Sequence, residues 1–283
     1  MPGQRRDTET AASNRARPAR AGASPKAKPG AATARPASPP RGERIAKLLA
    51  RAGVGSRRDI ERMIAEGRVT LNGAAVTTPA TLLASVDGLA VDGQPVLAAE
   101  PARLFLFHKP PGFLTAARDP SGRPTIHDIL PAGLPRLMPV GRLDLMTEGL
   151  LLLTNDGSLK RRLELPANGV PRTYRVRAIG DVRQADLEQL AMGVTIAGVR
   201  YGPVDAEVDR RASQGSANVW LTMRLTEGKN REVRRLCEAM GLKVSRLIRT
   251  AFGPFTLEDL PPRAVVEVPA ADVQRLLRRI REG

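Results

Sequence analysis

The sequence predicts an α+β fold in two folded units, and three observations carry that reading. Helical periodicity governs residues 43–66, period-two alternation recurs from residue 103 onward, and strands outnumber helices in that longer stretch. Short, hairpin-like connections make the larger sheet mixed but mainly antiparallel. The 283 residues suffice for two cores, and a 42% hydrophobic content can fill them.

The elements follow in order. Residues 1–42 form a Pro/Ala-rich basic tail whose first forty residues hold seven prolines, eight basic and two acidic residues. Such a composition cannot offset its ordering entropy by apolar burial, so the tail reads as disordered. An organellar transit peptide is the rival reading, but Asp7, Glu9 and the prolines weigh against it. Residues 43–100 form the first unit. "ERIAKLLARAG" places Ile45, Leu48, Leu49 and Ala52 on one helical face, with Gly53 as its stop. Ser56 caps the next helix, Asp59 is its capping-box partner, and Ile60, Met63 and Ile64 form its apolar face. Asn72-Gly73 and Asp92-Gly93 are hairpin turns between short strands.

The second unit is expected over residues 101–265, with a basic helix at 266–283. "RLFLFHKPPG" is a strand running into a Pro-Pro-Gly stop, and "RTYRVRAIG" alternates Tyr174, Val176 and Ala178 against Arg175 and Arg177. "DLEQLAMG" is a short helix, and "NVWLTMRL" is a strand with Val219, Leu221, Met223 and Leu225 inward. "NREVRRLCEAMG" is a helix striped by Val233, Leu236, Cys237 and Met240.

Composition narrows the function. Lys and Arg number 45 against 29 Asp and Glu, a net charge of +16, which points to a polyanionic partner and above all to nucleic acid. The single Cys237 excludes an internal disulfide and fits a reducing, cytoplasmic setting. His108 and His127 are the only histidines, too few for a His-based zinc site. No apolar run approaches the roughly 20 residues of a membrane span. No secretory h-region opens the chain.

One carboxylate stands out. In "PVGRLDLMTEGLLLLTNDG", Asp144 follows Arg142 and precedes the leucine run Leu150–Leu153. An Arg-x-Asp alone is more often a structural ion pair. Here Gly141, Pro139 and Gly149 place the Asp on a loop mounted on a buried strand, a rigid support for a reactive group.

The residues then carry a resemblance. "GRLDLMTEGLLLLTNDG", "HKPPGFLTAARD", "RTYRV" and "GKNREVRRLCEAMGLKVSRLIRTAFG" resemble, in order, the motifs of the RsuA/RluB-type pseudouridine synthases, and most closely the RluB type, which modifies large-subunit ribosomal RNA. The run from Gly53 to Gly73 resembles the S4 RNA-binding domain. Together the likeness spans about residues 43–265.

That resemblance implies isomerisation of a specific uridine to pseudouridine in ribosomal RNA, 23S rRNA being expected, by a monomer that needs no cofactor or metal. It implies a catalytic carboxylate at Asp144, which attacks the sugar C1′ or the base C6, or stabilises charge. Tyr174 matches a tyrosine that stacks on the target base, and Arg234 matches the basic partner of the Asp. The helical wheel separately puts Arg234 at the edge of the apolar stripe while Arg231 and Arg235 point away. Arg142 fits the residue that fills the gap when the uridine flips out, a step required because the reacting atoms are unreachable within a stack. Arg57, Arg58 and Arg62 on the S4-like helix, and Lys109, are expected to contact RNA. His108, like Lys109, shapes the domain junction or touches phosphate. A His127–Asp128 dyad lacks a nucleophile nearby in sequence. The alternative is a non-catalytic S4-type ribosome assembly factor, which explains the charge but not the Asp144 loop. A DNA-binding reading finds no recognition motif.

Overall fold

The computed structural model describes residues 42–211 and 218–282. The expected disordered tail lies, Gly42 apart, outside the described residues.

In the small unit, β1 (Glu43–Arg44) leads into α1 (Ile45–Arg51) and α2 (Arg57–Ala65). Five short strands follow: β2 (Val69–Leu71), β3 (Ala74–Ala75), β4 (Leu82–Leu83), β5 (Leu89–Val91) and β6 (Gln94–Pro95). The predicted apolar faces meet, with Ile45, Leu49, Ile60, Ile64, Val69 and Leu89 in one core. Ser56 Oγ accepts the Asp59 N–H at 3.1 Å, and the Asp59 carboxylate accepts the Ser56 N–H at 3.0 Å. This capping box fixes where α2 begins and contributes about 1 kcal/mol. Both turn pairs, Asn72-Gly73 and Asp92-Gly93, carry positive φ at each residue, as a two-residue hairpin of matching twist requires. They close two hairpins, as expected, which pair through β2 and β5 into a four-stranded sheet of order β3-β2-β5-β6.

The large unit contains β7 (Leu104–Lys109), β8 (Met138–Val140), β9 (Glu148–Thr154), α3 (Gly157–Glu164), β10 (Arg172–Ile179) and α4 (Gln184–Glu188). These are followed by β11 (Val194–Ile196), β12 (Val199–Tyr201), β13 (Val204–Arg211), β14 (Asn218–Leu225) and α5 (Glu232–Ala239). The chain then forms β15 (Lys243–Phe252), β16 (Phe255–Thr256), β17 (Val265–Glu267) and α6 (Ala270–Glu282). The main sheet runs β13-β14-β10-β15-β9-β7-β17, with β16 on β15 and β8 on β9. Every pairing is antiparallel except β9 with β15, so the sheet is mixed and mainly antiparallel as expected.

The leucine run has a structural reason. Leu150 and Leu152 face a core containing Leu104, Leu159 and Val273, while Leu151 and Leu153 face another containing Phe105, Phe107 and Ile126. A strand covered on both faces needs no polar alternation. Each of the four leucines is fully buried, a contribution of about 1.5–3 kcal/mol apiece. β17 and α6 belong to this architecture: β17 pairs with β7, and Val273 and Leu276 of α6 enter the core. The expected boundary between residues 265 and 266 therefore falls inside a strand. Among the described residues no helix is long and apolar enough to cross a membrane.

The parallel junction is narrow. Only Glu148 and Gly149 of β9 register with Ile248 and Arg249 of β15. Gly149 sits at φ +106°, and a Cβ there would lie 2.3 Å from the Arg249 carbonyl oxygen. A side chain is excluded by both strain and contact. Gly149→Ala should therefore cost about 2 kcal/mol or more, a fall in Tm of roughly 5 °C or more on thermal unfolding. An unchanged Tm would show that the junction yields without cost.

Candidate active site

The loop between β8 and β9 is held at almost every residue. Gly141, at φ +68°, donates its N–H to Glu164 Oε1 of α3 at 2.6 Å. Lys160, one turn earlier on α3, bonds the Pro139 carbonyl at 2.6 Å and pairs with Glu164. The Thr115 hydroxyl donates to the Leu143 carbonyl at 2.8 Å and accepts the Leu143 N–H at 3.2 Å. Leu143 points into the core, which turns its neighbours Arg142 and Asp144 outward.

Lys109 closes the far side of the loop. Its side chain is fully buried, and Nζ donates to the carbonyls of Pro110, Asp144, Leu145 and Thr147 at 3.1, 3.2, 3.3 and 2.8 Å. Burial pushes its pKa down to about 8, against the charges of Asp144 and Glu148, which favour the ammonium. The expectation that Lys109 contacts RNA is thus corrected. The ammonium is buried among loop carbonyls and leaves no surface for a phosphate.

The structure brings Asp144, Arg142, Tyr174 and Arg234 to one cleft of about 540 Å³. That volume suits a small-molecule-sized group. Asp144 Oδ2 lies 4.0 Å from Arg234 Nε, and Arg234 Nη2 reaches Thr147 Oγ1 at 3.4 Å and the Met146 carbonyl at 3.5 Å. These are long contacts, and the buried Arg234 Nε has no hydrogen-bond partner. Burial lowers the Arg234 pKa, the Arg231 charge adds to that, and Asp144 opposes it. Tyr174 is half-buried on β10, packed against the cores on both sides and in register with Arg249.

Several cleft residues went unnoticed in the sequence. Arg172 and Arg249 are buried and flank the Phe252 ring, 4.9 and 5.2 Å from its centroid. Lys160 and Glu164 also line the cleft; their i, i+4 spacing on a helix was the available signal. Glu232, in the first turn of α5, is buried and accepts the Lys229 N–H at 2.8 Å, and its Oε1 has no hydrogen-bond partner. Burial raises its pKa to about 7.

The remaining candidates sit elsewhere. Arg57, Arg58 and Arg62 are exposed on α2 and do not line this cleft, and Arg62 lies 3.6 Å from Asp59. His108 Nδ1 bonds the Leu260 carbonyl at 2.7 Å. Asp128 accepts from Thr125 N–H and Oγ1, capping a short turn instead of forming a dyad with His127. Cys237 is buried against Met223, its thiol pushed up to about 12 by burial, and is not a nucleophile.

Comparison with known proteins gives consistent matches. Residues 103–239 match the family model described as RNA pseudouridylate synthase, and residues 43–87 match the S4 domain. An uncharacterised RNA pseudouridine synthase of Rickettsia bellii is 43% identical over 226 residues, covering 80% of this chain and 96% of the relative. The ribosomal large subunit pseudouridine synthase B of Salmonella typhi is 42% identical, covering 78% and 77%. That of Pasteurella multocida is 43% identical, covering 78% and 65%. A crystal structure of a pseudouridylate synthase aligns with a TM-score of 0.58 at 26% identity, over 82% of this chain and 99% of that one.

Two outcomes test the electrostatics. Lys109→Met should leave the loop carbonyls without their donor, lowering turnover at least tenfold and raising proteolytic cleavage within residues 141–147; an intact loop with normal turnover would show the cage to be dispensable. For Glu232 the folded pKa of about 7 exceeds the ordinary 4.5, so the stability gained from its retained proton is full below the unfolded value and is lost as pH rises through 7. Glu232→Gln should therefore melt above the wild type at pH 8, with the gap closing near pH 5. An equal gap at both pH values would contradict the shift.

Proposed function

The chain belongs to the RNA pseudouridylate synthase family, and on that premise we propose that it converts a specific uridine of ribosomal RNA, in the 23S molecule, to pseudouridine. The observation that carries this reading is convergence. Asp144, Arg142, Tyr174 and Arg234 come from three separate stretches of sequence and line one cleft. Two relatives described as acting on the large ribosomal subunit, at 42% and 43% identity, support the choice of RNA.

The chemistry suits these residues. The N1–C1′ bond breaks, the uracil turns, and a C5–C1′ bond forms; C5 gives up a proton and N1 gains one, so the atoms balance within the nucleotide. No oxidant and no donated group is required. Asp144 is the catalytic carboxylate, presented to the cleft because its own carbonyl is drawn inward by Lys109. Arg234 orients it from the edge of α5. Tyr174, fixed between two cores, offers a flat face for the extruded base, and the exposed Arg142 stands where it can occupy the vacated stack. The small unit, with Arg57, Arg58 and Arg62 exposed on α2, supplies affinity for the phosphate backbone.

Asp144→Asn tests the assignment. The variant should fold and bind an rRNA transcript nearly as the wild type does, while pseudouridine formation falls below detection. Turnover within a few-fold of wild type would remove Asp144 from the mechanism.

A further inference from the structure

A second cleft, of about 240 Å³, opens between the two units where α1 and the start of α2 face the start of α3 and Arg136. Lys47, Arg51 and Arg57 line it from the small unit, and Arg136 and Lys160 from the large one. Asp156 is the one carboxylate in its wall, and it is already engaged. Its Oδ1 caps α3 by accepting the Ser158 and Leu159 N–H groups at 2.8 and 2.7 Å, and its Oδ2 lies 3.6 Å from Arg51 Nε.

Three of the five cations therefore have partners: Arg51 has Asp156, Lys47 has Glu43, and Lys160 has Glu164. Arg57 and Arg136 pair with no carboxylate among the described residues, and they enter the cleft from opposite units. Arg136 stands near α2: its charge adds to the Ser56 hydrogen bonds and the Arg62 charge in lowering the Asp59 pKa. Two unpaired guanidiniums that enter one cleft repel in the free protein. An anion seated among them removes that repulsion.

We propose that this seam clamps the phosphodiester backbone of the substrate RNA, with Arg57 and Arg136 holding the same phosphate from the two units. The proposal rests on the RNA-modifying reading above and extends it to a residue of the large unit outside the Asp144 cleft. Lys160 lines both clefts, so the seam adjoins the candidate active site. The clamp makes the small unit more than a tether: it fixes the register in which RNA enters.

The test is salt-dependent binding of a large-subunit rRNA transcript to the full chain, comparing wild type, Arg57→Ala, Arg136→Ala, the double variant and Arg136→Lys. Each alanine variant should bind several-fold more weakly, with the log–log salt slope reduced by roughly 0.7–0.9 for the lost contact. The double variant should lose less than the product of the single losses, because both arginines grip one phosphate. Arg136→Lys should keep most of the affinity. Wild-type affinity and slope in Arg136→Ala overturn the clamp, and fully multiplicative losses overturn the shared phosphate. Pseudouridine formation by the wild type is measured on the same transcript. Its absence alongside an intact coupling signature would defeat the enzymatic reading and leave the clamp standing.

Discussion

A single buried ammonium organises the candidate site. Lys109 Nζ has three protons and four carbonyl acceptors, three of which belong to the loop that carries Asp144. Burying a charge costs several kcal/mol unless polar partners replace its water. The loop backbone supplies those partners, so the loop and the ammonium stabilise each other or neither holds. The consequence is directional. The Asp144 carbonyl is drawn toward the protein, the Leu143 side chain packs in the core, and the Asp144 carboxylate is left facing the cleft.

The sheet supplies the other half of that constraint. Two antiparallel halves meet at the short parallel contact of β9 with β15, and the Asp144 loop enters β9 there. Gly149 lets the two backbones approach closely enough for Arg249 Nε to reach the Leu150 carbonyl at 2.7 Å. Glu148, one residue earlier, is bonded by Arg246 Nε at 2.5 Å across the same junction. The loop thus emerges at the junction of the two sheet halves, and α5 brings Arg234 to it. Loop, junction and helix each depend on a local rule, yet the site exists only where all three meet.

Most of this architecture was legible because local signals agreed with the fold. The Ser56–Asp59 cap, the two turn pairs and the stripe on α5 fix their elements without tertiary help. The Leu150–Leu153 run marked a buried strand, and the structure covers it on both faces. Lys109 was read wrongly although the signal was present: Phe105, Phe107 and Lys109 share the inward parity of β7. A lysine after two phenylalanines of one face suggests a surface charge by type and a buried one by position, and position prevailed. The Glu164–Gly141 bond and the Arg172–Phe252–Arg249 stack join residues distant in sequence, and no local pattern encodes them. The terminal helix was set apart because the resemblance ended before it, whereas its apolar face is part of the core.

The Asp144–Arg234 pair has a geometry that fits a site completed by its substrate. At 4.0 Å, with Arg234 Nε unpartnered, the two groups attract by only about 1 kcal/mol if water fills the cleft, and by several times that once water is displaced. On the role proposed for Tyr174, a base extruded onto it displaces that water. The same arginine already bears the cost of burial, visible in its lowered pKa, so any acceptor that approaches Nε is favoured. The loop backbone is held by Lys109 and Thr115, whereas the Asp144–Arg234 pair is left slack. On the proposed role of Asp144, RNA that enters the cleft tightens that pair, and the carboxylate is fully oriented only when a uridine is there to receive it.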